Sequence, residues 1–124
     1  MRRLAALGLA LALTLISPPV EPASAKASAT GFVAGTEDVP LMSGLRNIAD
    51  SLVVFDKPEG RIVEVEARGR VTRAAVERFY AATLPQLGWT ADGPRAWHRE
   101  EEGLRLDFKG RDGDLRVDFT LSPR

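Results

Sequence analysis

Across residues 61–68 apolar and charged positions alternate, with Val63, Val65 and Ala67 on one side and Glu64, Glu66 and Arg68 on the other. A period of two predicts a half-buried strand. Just before it, Leu52, Val53, Val54 and Phe55 form a short apolar run. Asp56, Lys57, Pro58, Glu59 and Gly60 between the runs have turn chemistry, since Pro presets one dihedral and Gly supplies a positive one. The two runs predict a hairpin. The period then changes. Thr72 can cap a helix by accepting a backbone N–H, and Val76, Phe79, Tyr80, Thr83 and Leu84 recur at helical spacing as one apolar stripe. Pro85 should end the regular helix near Leu84, and Gly88 is a natural stop after one more turn. Trp89 follows and is expected to seal the helix–sheet junction. Beyond it, a strand carrying Trp97 is expected over residues 96–100, with a turn at Glu102 and Gly103. Leu104, Leu106 and Phe108 then alternate with Arg105, Asp107 and Lys109. Asp112-Gly113 is a hairpin signal, after which Leu115, Val117, Phe119 and Leu121 alternate again. The pattern predicts an α+β fold: a two-layer sandwich of an antiparallel sheet, ββαβββ in chain order, with one helix across one face. The other face should be charged and wet.

The first residues follow a different logic. Arg2 and Arg3 precede an uncharged apolar stretch, residues 4–16, followed by Pro18, Pro19 and a small-residue tail over 22–29. Basic, apolar, then A-x-A-like is the order of a secretory signal peptide. At about 1.5 Å per residue the stretch would span roughly 20 Å, against a hydrocarbon core of about 30 Å. A cleavable leader over 1–25 is therefore expected, with cleavage after Ala25, Ala27 or Ala29, rather than a membrane span. Residues 26–38 are small and polar and are read as a flexible arm, leaving 39–124 as one compact domain. Pro40 biases Val39 toward an extended conformation.

Composition narrows the function. From Lys26 onward the chain carries 15 basic and 16 acidic residues. So even a balance argues against nucleic acid, whose phosphates are bound by a basic excess, and against a polybasic membrane surface. The sequence holds no cysteine, which removes disulfides, thiolate metal sites and lipid attachment at a cysteine. Its one histidine, His98, has no second His or Cys to share a metal and is expected at the surface. Glu100, Glu101 and Glu102 are consecutive, so on a strand their carboxylates would point to alternate faces. Asp112-Gly113-Asp114 opens like a calcium loop but lacks the later ligand positions. There is neither a G-x-S-x-G elbow nor a G-x-x-x-x-G-K-S/T phosphate loop. No catalytic residue, metal or cofactor is expected. Trp97 with Arg95 and Arg99 is the candidate binding surface if Trp97 lies on the open face, because Trp and Arg are enriched where partners bind.

The string VERFY at 76–80, LPQLGW at 84–89 and DVPLMSGL at 38–45 together resemble small exported bacterial domains with a VPLxPG entry and an FYxxxLPxLGW helix. With FDKPEGRIV at 55–63, the chain resembles an uncharacterised alphaproteobacterial exported family. Met42 and Ser43 stand where the broader group often has an aromatic residue and proline. The resemblance covers most of residues 38–123 and implies no catalytic residue. The reading is a periplasmic, non-enzymatic binding or adaptor module for a protein or small ligand, using the open sheet face or a sheet edge. Two alternatives stand beside it: a small Asp/Glu-dependent hydrolase, and a structural subunit of an envelope complex.

Overall fold

The computed structural model describes residues 29–124 together with Thr14; the rest of the expected leader lies outside the described residues. Nine strands and one α-helix follow in order: β1 (Ala29–Phe32), β2 (Pro40–Met42), β3 (Leu45–Asn47), β4 (Val53–Lys57), β5 (Gly60–Gly69), α1 (Arg73–Thr83), β6 (Thr90–Gly93), β7 (Ala96–Arg99), β8 (Glu102–Arg111) and β9 (Asp114–Pro123). β1 and β2 pair in a small sheet of their own. The others form one antiparallel sheet in the order β3-β5-β9-β8-β7-β6, with β4 also on β5. This is the expected α+β sandwich of antiparallel sheet and single helix, with β4, β5, α1, β7, β8 and β9 in the expected order and four short strands added.

Register explains which side chains are buried. Val65 lies opposite Phe119 and Phe119 opposite Leu106; one row along, Val63, Leu121, Leu104 and Trp97 line up across four strands. The period-2 residues thus stack into continuous apolar rows on the helix side. Thr72 accepts a hydrogen bond from the Ala75 N–H at 3.1 Å and starts α1, and the Asp112 carboxylate takes the Arg73 N–H at 2.9 Å. Val76 and Tyr80 face the sheet, with Tyr80 edge-on to Phe119 at 5.6 Å between ring centroids. A 3₁₀ turn over Leu84–Leu87 ends at Gly88, whose φ of 90° suits a residue without Cβ. Trp89, next in sequence, is buried.

On the open face the rows are charged. Glu66, Asp118 and Asp107 lie side by side, as do Arg68, Arg116 and Lys109. Like charges directly opposite repel, and diagonal pairs offset this: Lys109 to Asp118 at 2.8 Å and Arg116 to Glu66 at 3.7 Å. The Asp118 carboxylate beside it raises the Lys109 ammonium above its ordinary value.

The described part of the expected arm departs from the sequence reading. Residues 29–32 pair with β2, and Val33 is fully buried in the main core. The reason is local: the Val33 N–H donates to the Val39 carbonyl at 2.8 Å, folding 33–39 back on itself. Asn47 of β3 then holds the segment from both sides, accepting from the Ala34 N–H at 3.1 Å and donating to the Phe32 carbonyl at 3.0 Å. The compact unit therefore starts before Val39. Among the described residues no helix is long and apolar enough to cross a membrane.

Candidate functional site

The three residues singled out as a binding surface do not form one. Trp97 is 2% exposed and belongs to the core. Its strand pairs it with Leu104, one of the inward residues of β8, so its ring joins the helix side and not the open face. Arg95 and Arg99 flank it at the surface and reach in different directions. The Arg95 guanidinium lies 5.9 Å from the Phe108 ring. Arg99 stacks over Trp89 at 4.4 Å and grips Asp38 with two nitrogens, at 2.7 and 3.0 Å, while donating to the Leu87 carbonyl at 3.0 Å. A bidentate guanidinium–carboxylate pair is the geometry that fixes two segments most firmly. Here it ties the 33–39 segment to β7. The Arg99 hydrogen bonds hold the Asp38 carboxyl below its usual range against the opposing effect of burial. Arg99 is thus a clamp whose two terminal nitrogens are already engaged.

His98 has a partner that spacing did not reveal. Its Nδ1 is 2.8 Å from both Asp92 oxygens, and Arg124 approaches the same carboxylate at 3.5 Å. β6, which lacks any apolar alternation, carries Asp92 into place. A histidine–carboxylate pair can move a proton to or from water or a substrate, or activate a nucleophile or hold a metal on the far nitrogen. Among the described residues no hydroxyl bonds His98, and no group of three His, Cys, Asp or Glu could hold a metal ion. Asp112 caps α1, and the Gly113 N–H donates to the Val71 carbonyl at 3.0 Å, which is turn chemistry.

Glu101 and Glu102 do come together with other carboxylates. They border a cleft of about 320 Å³ with Glu37, Asp38 and Glu59, over a floor of Val63 and Leu121. Arg61 and Arg99 offset part of that charge. These residues are scattered from 35 to 123 in sequence, so no local motif announces the cleft.

The remaining feature is the edge of the sheet. β3 and β4 lie end to end along the same side of β5. Five residues, 48–52, stand opposite only two, 65 and 66, and the surplus is taken up by a 3₁₀ turn over Ala49–Ser51. Ser51 mends the interruption by accepting the Glu66 N–H at 2.9 Å. Beyond it, Leu52, Val53, Val54 and Phe55 are 37–49% exposed, four consecutive large apolar residues leading into and along β4, which pairs with β5 on one side and is unpaired on the other. The loop between Lys57 and Gly60 holds two residues, so those two exchange both hydrogen bonds of their pair. Alternation then turns the Phe55 and Val53 N–H groups toward β5, and those of Val54 and Asp56 away from the sheet. The opposite edge, β6, is built differently: four residues, a register shift between Ala91 and Gly93, the paired Asp92, and Pro94 just after it. Those are the devices that keep an edge from pairing with another chain. β4 carries charge and proline only at its far end, in Asp56, Lys57 and the following Pro58, and has none of these devices between Leu52 and Phe55.

Comparison of the chain with protein-family models, with curated proteins and with solved structures finds no match.

Proposed function

We propose that this chain is a non-enzymatic binding module, exported to the periplasm by the leader over residues 1–25, that takes up an extended polypeptide segment along β4. The observation that carries the reading is the unpaired apolar edge from Leu52 to Phe55. An added strand would satisfy the outward N–H and C=O groups of Val54 and Asp56. Side chains on both of its faces would cover apolar surface, Val53 and Phe55 on the open side and Val54 on the helix side. Ordering a short segment costs about 1–2 kcal/mol of backbone entropy per residue, and apolar burial at about 25 cal/mol per Å² offsets it. The open face does not compete for this role, because its charges are already paired with each other.

A photoreactive residue in place of Val54, introduced in the producing cell, tests the reading. It should form an adduct with a polypeptide other than this chain, while the same group in place of Arg105 on the open face should not. No adduct from position 54, or equal adducts from both, overturns it. N-terminal sequencing of the recovered protein tests export: a product beginning at Met1 contradicts cleavage.

A further inference from the structure

We propose that, in the absence of another partner, the β4 edge is occupied by the β4 edge of a second copy of this chain, antiparallel about a two-fold axis through Val54. The inference rests on the reading of β4 as a strand acceptor and adds the identity of its resting occupant.

Backbone parity limits the possible registers. Only residues whose N–H and C=O point outward, Val54 and Asp56 together with the flanking Leu52, can exchange hydrogen bonds with a second edge. Two identical antiparallel strands must therefore bring even-numbered residues opposite one another. Charge removes most of the registers that are left. With Asp56 on the axis, two aspartates face each other, and with Val53 on the axis Asp56 comes up against the 3₁₀ turn that carries Asp50 of the second copy. Like charges directly opposite destabilise a strand pair. With Phe55 on the axis, Val53 faces Lys57 and Val54 faces Asp56, which sets apolar against charged on both faces.

The Val54 register sets no like charges opposite and brings apolar against charged on one face only, where Leu52 meets Asp56. Val54 meets Val54, and Val53 meets Phe55 twice, an aromatic against a β-branched residue each time. Lys57 of each copy comes beside the 3₁₀ turn of the other, which carries Asp50, so the charged ends attract. The two seven-stranded sheets would join edge to edge. One short strand from each side is small against the roughly 1,000 Å² that a lasting interface buries. The pair is consequently reversible, and a better-matched strand from another protein displaces one copy.

Sedimentation velocity on the purified protein, from about 1 μM to about 500 μM, should show the mass rising from one copy toward two. Val54→Lys places two ammonium groups across the axis at a position already exposed to solvent; it should remain at one copy throughout with an unchanged melting curve. Because the chain has no cysteine, register can be read separately by disulfide formation. A mixture of Val53→Cys and Phe55→Cys proteins should give the mixed disulfide dimer on mild oxidation, and each variant alone should give several-fold less. One copy at every concentration, a dimer insensitive to Val54→Lys, or Val53→Cys linking to itself as readily as to Phe55→Cys would overturn the proposal. If the protein stays at one copy while position 54 still captures another polypeptide, self-pairing fails and the binding reading stands. If position 54 captures nothing and no dimer forms, both fall.

Discussion

β3 and β4 are two halves of one edge, running along the same strand, yet they have opposite fates. Leu45 of β3 is buried in the core, whereas every residue of β4 is exposed. Composition does not make the difference, since β4 is the more apolar of the two. Cover does. β2 enters through the turn at Ser43 and Gly44 and lies over the β3 end, with Pro40, Leu41 and Met42 buried. Tyr80 fastens it there from α1: its hydroxyl donates to the Pro40 carbonyl at 2.8 Å and accepts from the Met42 N–H at 3.3 Å. Burial pushes the Tyr80 phenol well above its usual range despite the Met42 hydrogen bond, so it is protonated and able to donate at any ordinary pH. A Cβ on Gly69 would collide with the Gly44 carbonyl, which shows how closely the covering turn sits on the end of β5. Nothing among the described residues does the same for β4. The same strand can therefore anchor a core at one end and offer a pairing surface at the other.

Substitutions should separate these halves by size of effect. The largest loss is expected for Trp97→Ala, which empties a core site and should cost about 3–5 kcal/mol in a denaturant titration. A melt left nearly unchanged would return Trp97 to the surface. Tyr80→Phe keeps the ring but strands the Pro40 carbonyl and the Met42 N–H, and should cost about 1–3 kcal/mol. If it is neutral, the phenol does not hold the cover over β3.

The clamp between Asp38 and Arg99 gives a smaller and pH-dependent effect. Because the folded-state carboxyl lies below the ordinary value of 3.8, its contribution is fully present above that pH and is lost as pH falls through the lowered folded value. Asp38→Asn should lower stability at neutral pH and flatten the acid side of the stability curve below about pH 4. Solvent screening of the half-exposed carboxylate keeps the effect modest. An acid limb as steep as that of the parent would show that the pair adds nothing to folding. Smallest of all is Val54→Lys, expected within about 0.5 kcal/mol of the parent while abolishing capture at the edge. A large destabilisation by this change would mean that β4 is covered after all.

The parts of this molecule that were legible in its sequence are those where local pattern and burial agree. β5, β8 and β9 announce themselves because each has one face in the core, so Val63 to Ala67, Leu104 to Phe108 and Leu115 to Leu121 alternate. The helix was equally plain from Thr72, the stripe and Gly88. β1 and β6 were not, because all their residues are exposed and no alternation marks them. β2 is buried throughout, so it shows no alternation either. Trp97 was misplaced for a different reason. Which face a strand residue takes depends on its partner, and only the pairing with Leu104 assigns it. The edge was half visible: the apolar run from Leu52 to Phe55 reads as a strand, but that its outer side is unpaired follows from topology alone. Similarly, Asp92 beside His98 and Asp38 beside Arg99 depend on segments brought together by folding.

Site-resolved hydrogen exchange in dilute solution tests whether β4 is a formed strand with a free outer side. Protection should alternate along β4. Amides of Val53 and Phe55, bonded to β5, should exchange slowly, and those of Val54 and Asp56 should exchange at nearly the rate of unstructured peptide. Slow exchange at all four in the dilute single copy would mean the edge is already covered, and fast exchange at all four would mean there is no strand to pair with. Either result would rule out a formed β4 with a free outer side.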